Sequence, residues 1–466
     1  MKKKGETTMN QPQGIYDARQ LGRPKMFVLG AQHMFAMFGA TVLVPALTGM
    51  SVSATLLFAG LGTLLFHFLT KWKVPAFLGS SFAFIGGYQA IAPMIANEDG
   101  SLSSNTEMLP YACFGVVLAG LLYVVLAALF KVFGTKAVMR YFPPIVTGPI
   151  IICIGLTLSS TAITNCRSNW AIALVAIAIV VVCNIWGKGM VKIIPILLGV
   201  VGSYGVAAVC QAAGMEVMDP AKVQALLDAP WIGLPFRFED TLFGLFSRPN
   251  VDSGMLLTSA VTIMPLALAT MVEHIGGICA ISSTCERNFL QDPGLHRTLL
   301  GDGMATSLAA LFGAPANTTY GENTGVLALS RVYDPRVIRI AAGLAILLSF
   351  SPKFAALVSA MPTATMGGVS MVLYGMISAV GVRNIVENQV DFTNSRNVII
   401  AAIIMVLAIG VNYSGAVTFS VGSIEVSLSG LAVAAIAGIA LNAVLPGKDY
   451  EFGEDEKGDT SVNFQV

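Results

Sequence analysis

A chain of 466 residues that is 55% hydrophobic and only 11% charged is not a soluble globular domain, in which about 25% of residues are charged. Its net charge of +1 offers no broad basic surface, and no nucleic-acid partner is expected. Its 47 glycines suit helices packed closely in a bilayer, where small residues let backbones approach.

The N-terminus, MKKKGETTMNQPQG, has lysines followed by polar residues rather than an apolar core. It reads as a tail over 1–25, not as a cleavable signal peptide. A spanning helix needs roughly 20 apolar residues. Such runs occur at 26–48, 52–70, 110–130, 145–162, 170–186 and 193–213. After a polar connection over 214–253, rich in proline, they resume at 255–272, 337–350, 397–411 and 426–444. With shorter or interrupted candidates the total is about fourteen. The chain therefore reads as an all-α polytopic membrane protein. If both ends lie in the cytoplasm, only Arg167, Lys222, Arg237, Arg248 and Lys353 of the 27 Lys and Arg fall outside, the bias that the positive-inside rule requires. The seven cysteines are scattered and lack metal-ligand spacing. They read as small packing residues, and neither a metal nor a cofactor is expected.

The connection at 214–253 divides the chain into two halves of seven spans each. An odd number per half inverts the second half in the membrane, the arrangement of inverted-repeat transporters. Three pairs of matches recur in the same order. QHMFA at Gln32 parallels EHIGG at Glu273, GSSF ending at Phe82 parallels NTTY ending at Tyr320, and PPIVTG at Pro143 parallels PTATMG at Pro362. Around VPAFLGSSFAFIGG and GAPANTTYGENTGV, prolines Pro75 and Pro315 precede residues that favour extended backbone. Both are expected to be broken spans, each a short extended piece followed by a half-helix. Interrupted segments at matching places in two halves point to a transporter's binding site.

A half-helix starting at mid-membrane offers unpaired N–H groups and a positive dipole end. Glu322 stands at the start of the second half-helix and Glu273 near the end of the eighth span. Carboxylates deep in a bilayer are costly and usually functional. Two acids with free N–H groups suit a small planar solute of alternating N–H and C=O, and Phe82, Tyr320 and Tyr374 could stack on it. The same inventory would accept other amide-like solutes.

The segments LGAQHMFAMFGATVLVPALTG, KVPAFLGSSFAFIGG, MVEHIGG, DPGLHRTLLGDGMAT, FGAPANTTYGENTGVLALSRVYD and MGGVSMVLYGMISAVGVR resemble the nucleobase–ascorbate (nucleobase:cation symporter) family, and within it the bacterial uracil permeases. Glu322-Asn323-Thr324-Gly325 followed by Ser330-Arg331 matches the family signature, with serine where threonine is usual. Glutamate rather than glutamine at 322 points, within that family, to uracil rather than xanthine.

The resemblance implies fourteen segments as a seven-plus-seven inverted repeat, with short antiparallel strands breaking spans 3 and 10. It implies a core domain from 26–140 and 254–360, a gate domain from 141–213 and 361–446, and a cytoplasmic tail over 447–466. Glu273 and Glu322 would bond the base, backbone amides of Phe82 and Gly321 would meet its oxygens, and Ala40 and Tyr320 would lie close by. Proton symport, a homodimer and the bacterial cytoplasmic membrane are further implications. Some uracil permeases carry a histidine four residues after the site glutamate, where this chain has Gly277. Glu273 itself, His274 or a water would then carry the proton, with Asp302 tuning Glu273. His33 and His274 read equally as residues of helix packing. A xanthine or purine permease is the near alternative. A membrane-embedded enzyme is disfavoured, because Leu299 and the basic surroundings of Tyr333-Asp334 do not fit an intramembrane aspartyl protease. A channel is disfavoured because no charged ring is apparent.

Overall fold

The computed structural model describes residues 14–96, 102–134, 137–138, 140–421 and 424–447. The remainder of the expected tails, 1–13 and 448–466, lies outside the described residues. The first half contains α1 (Arg23–Thr48), α2 (Val52–Leu69), β1 (Leu78–Ser80), α3 (Ile85–Ile91) and α4 (Leu109–Phe133). It continues with α5 (Pro144–Cys166), α6 (Trp170–Trp186) and α7 (Pro195–Ala212). The second half begins with α8 (Ser253–Ile263), α9 (Leu266–Thr284), α10 (Leu295–Leu311), β2 (Asn317–Thr319) and α11 (Gly321–Ser330). It ends with α12 (Pro335–Ser349), α13 (Pro352–Ser359), α14 (Thr363–Glu387), α15 (Ser395–Ser414), the hairpin β3 (Val417–Val421) and β4 (Ile424–Leu428), and α16 (Gly430–Val444).

Among the described residues, 8 helices are long and apolar enough to cross a membrane, or up to 9 if the α12–α13 pair, bent by 88°, is one span. Phe82–Ile91, Trp170–Trp186 and Gly430–Val444 are shorter apolar helices. Short polar caps fix several starts. The Ser51 hydroxyl accepts from the Ala54 N–H at 3.2 Å, and Asn169 does the same for Ile172 at 3.2 Å. Each supplies a partner to a helix-end donor that water cannot reach.

Two expected spans are corrected. The run at 426–444 is helical only from Gly430, because Ile424–Leu428 alternates as a strand and Ser429 caps the helix behind it. The run at 255–272 bends at Met264–Pro265 between α8 and α9, and the helix then continues to Thr284. Proline supplies no N–H to continue the ladder. Glu273 thus lies mid-helix in α9 rather than near the end of a span.

Packing concentrates in two groups. In one, α2 packs on α10 and α12, α4 on α8 and α10, and α1 on α12. In the other, α5 packs on α14 and α15, α6 on α7 and α14, and α15 on α16. Each group has a reciprocal glycine contact. A Cβ added to Gly120 of α4 would lie 2.6 Å from the Gly303 carbonyl of α10, and one on Gly303 would lie 2.6 Å from the Gly120 carbonyl. In the other group a Cβ on Gly381 of α14 would lie 2.7 Å from the Gly148 carbonyl of α5. Backbone against backbone maximises dispersion contact where lipid offers no hydrophobic drive between helices.

Candidate functional site

The strands β1 and β2, from the two halves of the chain, pair antiparallel in the first group. Leu78 faces Thr319, Gly79 faces Thr318 and Ser80 faces Asn317. The ladder extends by Ser81 N–H to the Ala316 carbonyl at 2.8 Å and Tyr320 N–H to the Phe77 carbonyl at 3.0 Å. A two-stranded sheet has two bare edges, and inside a membrane these must be satisfied by protein. Helix α2 covers β1: the Thr63 hydroxyl accepts from the Leu78 N–H at 2.9 Å and donates to its carbonyl at 3.2 Å. Helix α10 covers β2, where the Thr306 hydroxyl donates to the Asn317 carbonyl at 2.9 Å. The Asn317 side chain donates in turn to the Phe58 carbonyl at 3.0 Å.

A helical turn starts directly behind each strand. Phe82–Phe84 leads into α3 with Ser81 as its cap, and α11 starts with Tyr320 as its cap. Neither cap residue closes the helix end with its side chain, so both ends keep donors for another acceptor. Glu322 lies in the first turn of α11, where the dipole favours a negative charge. A Cβ added to Gly321, or to Gly276 on α9, would meet nothing within 4 Å. The space beside each of these two positions is open.

The acids lie near one another. The carboxyls of Asp302 and Glu322 both lie close enough to act electrostatically on Glu273, and Tyr320 senses Glu322 and Glu273 together. Glu273 is accessible and Glu322 half-buried. His274 and Asp302 are fully buried behind them, with Nδ1 3.4 Å from Oδ2. The ring of Phe66 meets His274 edge-on at 6.3 Å between centroids. Close by, the Tyr123 hydroxyl donates to Thr270 at 2.7 Å.

The structure places the other expected residues as follows. Tyr320 is buried, and its hydroxyl donates to the Ser80 carbonyl at 2.8 Å while receiving Thr41 at 3.3 Å. Ala40 is buried beside it, its carbonyl 3.5 Å from the Ser80 hydroxyl. Phe82 is half-buried at the other helical start. His33 is buried on α1, and Asn323 donates to its carbonyl at 3.0 Å and approaches Nδ1 at 3.2 Å. It ties α1 to α11. Tyr374 is buried on α14, where its backbone carbonyl would lie 2.2 Å from a Cβ added to Gly155 of α5. Gly277 faces β2, where an added Cβ would lie 3.1 Å from the Thr319 hydroxyl.

Sequence reading passed over Thr41, Ser80, Thr63 and Thr306 as site-forming residues. Ser80 lay within the repeated GSSF motif, which was a signal. The helix threonines gave none, since their partners are distant backbone atoms.

A family model described as "Permease family" matches residues 24–417. The chain belongs to the permease family. This permease is 41% identical over 452 residues to the uracil permease of Bacillus caldolyticus, covering 94% of this chain and 96% of that one. It is 39% identical to the uracil permease of Bacillus subtilis (strain 168), covering 93% and 94%. It is 36% identical to the uracil permease of Escherichia coli (strain K12), covering 89% and 90%. Its fold is that of a transmembrane domain of a cyanobacterium bicarbonate transporter, BicA, with a TM-score of 0.53 at 14% identity, covering 93% of this chain and 100% of that one. It is also that of SLC26A9, with a TM-score of 0.62 at 12% identity, covering 92% and 66%. The permease is a multi-pass membrane protein of the transporter type and not an enzyme.

Proposed function

We propose that this permease imports uracil by proton symport across the bacterial cytoplasmic membrane, with both termini inside. The observation that carries the substrate is the identity of 36–41% to uracil permeases along nearly the whole chain, coupled with a glutamate in the first turn of α11. Glu322 and Glu273 accept the two ring N–H groups of uracil, while the N–H groups of Phe82 and Gly321 donate to its carbonyls. Counting each strand with its half-helix as one crossing, and α8–α9 and α12–α13 as one each, gives the fourteen segments of a seven-plus-seven repeat. The two packing groups support a core domain (26–140 and 254–360) and a gate domain (141–213 and 361–446) that rock against each other for alternating access. A homodimer through the gate domain fits the apolar exterior of that group.

For the proton we infer that Glu273 is the carrier and that the buried His274–Asp302 pair tunes it in place of a histidine at 277. Uptake by proteoliposomes should follow an imposed pH gradient and collapse with an uncoupler; accumulation that survives the uncoupler would overturn symport. Purified protein titrated with uracil, thymine, xanthine and hypoxanthine across pH should select uracil. In Glu322→Gln, one acceptor oxygen becomes a misplaced donor. Losing a charge-assisted hydrogen bond costs about 1.5–3 kcal/mol, so affinity should fall roughly 10- to 150-fold. Unchanged affinity would remove Glu322 from the site.

A further inference from the structure

A cavity of about 330 Å³ lies between α3, α5, α8 and the α15–α16 connection. Gly86, Gln89, Thr157, Thr262, Asn412 and Ser429 supply its small and polar lining. Among the described residues its polar lining is made of neutral amides and hydroxyls. Leu158, Leu266 and Leu431 give it apolar walls. The central acids are not part of it.

The cavity and the strand pair share α3, which follows β1 directly. Phe82, Gly86 and Gln89 stand at i, i+4 and i+7, which share one face of a helix. A helical rise of 1.5 Å per residue puts Gln89 about 10 Å from Phe82. A Cβ added to Gly86 would meet nothing within 4 Å, so this face is open at Gly86. Gln89 also lines a second, wider opening of about 620 Å³ on the other flank of α3. Its carbonyl receives the Thr161 hydroxyl of α5 at 3.5 Å, at the outer limit of a hydrogen bond. Gln89 therefore stands between the two spaces on a weak tether.

The lining chemistry selects a solute class. A carboxamide presents a donor and an acceptor side by side, the complement of one N–H/C=O edge of a cyclic imide. Gln89 and Asn412 give the cavity two carboxamides. Neutral carboxamides grip such an edge more weakly than carboxylates do, which suits a stopping place and not a storage site.

We propose that this cavity is a second solute site, a vestibule that takes neutral planar imides before they reach Glu273 and Glu322. It rests on the reading of the permease as a uracil importer and adds an earlier stage to it. Losing one neutral hydrogen bond corresponds to about a two- to tenfold effect. Gln89→Leu and Asn412→Leu should each lower kcat/KM for uracil uptake by that factor while Kd at the central site stays unchanged. Saturation-transfer NMR on purified Glu322→Gln, whose central affinity is reduced, should give a uracil signal that Glu322→Gln/Gln89→Leu diminishes. The conservative Gln89→Asn should restore part of it, and size-exclusion profiles check that each variant folds. Uptake kinetics unchanged in both single variants, or a residual signal indifferent to Gln89, would overturn the vestibule. A Kd that Glu322→Gln leaves unaltered would instead overturn the central site, so the two failures are distinguishable.

Discussion

Tyr320 shows how a single hydroxyl can hold a binding site together. Sequence reading offered its ring as a stacking surface, but the hydroxyl joins the Ser80 carbonyl of β1 to Thr41 of α1. Tyr320→Phe keeps the ring and takes this donor from the buried Ser80 carbonyl, while Thr41 keeps its bond to Met37. An unsatisfied buried polar group costs about 1–3 kcal/mol, so the thermal midpoint in detergent should fall, and uracil binding should weaken as the start of α11 loosens. An unchanged midpoint would mean that the ring's packing alone holds the strand. The two glutamates and the GENTG turn were legible in the sequence because a carboxylate inside an apolar run is conspicuous. Thr41, Thr63 and Thr306 were not, because helix threonines usually bond their own preceding turn. Thr41 does so as well, to the Met37 carbonyl at 2.8 Å, and its second partner is set only by the tertiary fold.

At the scale of elements, the strand pair depends on one close approach. A Cβ on Gly79 would lie 2.5 Å from Tyr320 Cε2 and 2.8 Å from the Thr41 hydroxyl, both held in place by the hydrogen bonds above. Gly79→Ala should therefore push Tyr320 off the strand and abolish high-affinity uracil binding while the helices remain folded by circular dichroism. Gly343→Ala on α12, where the space is also open, is the matched control and should bind as the parent does. A second element is the segment ahead of α1. Ile15 pairs with the chain at Arg331–Tyr333, the Ala18 N–H donates to Asp334 at 2.8 Å, and Arg336 bridges Asp17 at 2.9 Å. The Arg19 guanidinium beside Asp17 holds its carboxyl down at about 2, from an ordinary 3.8. A depressed carboxyl adds stability that is complete above its unfolded value and disappears as pH falls through its folded one. Protection of the Tyr333 amide should then be constant above pH ~4 and fall towards pH ~2, and Asp17→Asn should lower it above pH ~4 and match the parent near pH ~2. The apolar runs revealed most long helices from sequence. The β3–β4 hairpin was missed because its alternating apolar residues were absorbed into a hydropathy window meant for a helix.

For the whole molecule, the question is how two packing groups stay one protein and still move. Contacts within each group use reciprocal glycine approaches, whereas contacts between groups are fewer and lighter. At the α1–α7 crossing the first group meets the second. A Cβ on Gly39 would lie 3.0 Å from both Ile196 Cγ2 and the Leu197 nitrogen. The Leu197 backbone cannot yield as a flexible side chain would, so Gly39 is a bearing surface. Glu322 and Glu273 belong to the first group alone, and a change confined to the crossing leaves their geometry intact. Gly39→Val should accordingly hold the groups apart at this point, cutting uracil uptake by an order of magnitude or more while equilibrium binding changes less than about threefold, within ~0.7 kcal/mol. Uptake and binding that fall together would tie Gly39 to the site itself, next to Ala40 and Thr41. Normal uptake would show that the two groups do not need this contact to exchange conformations.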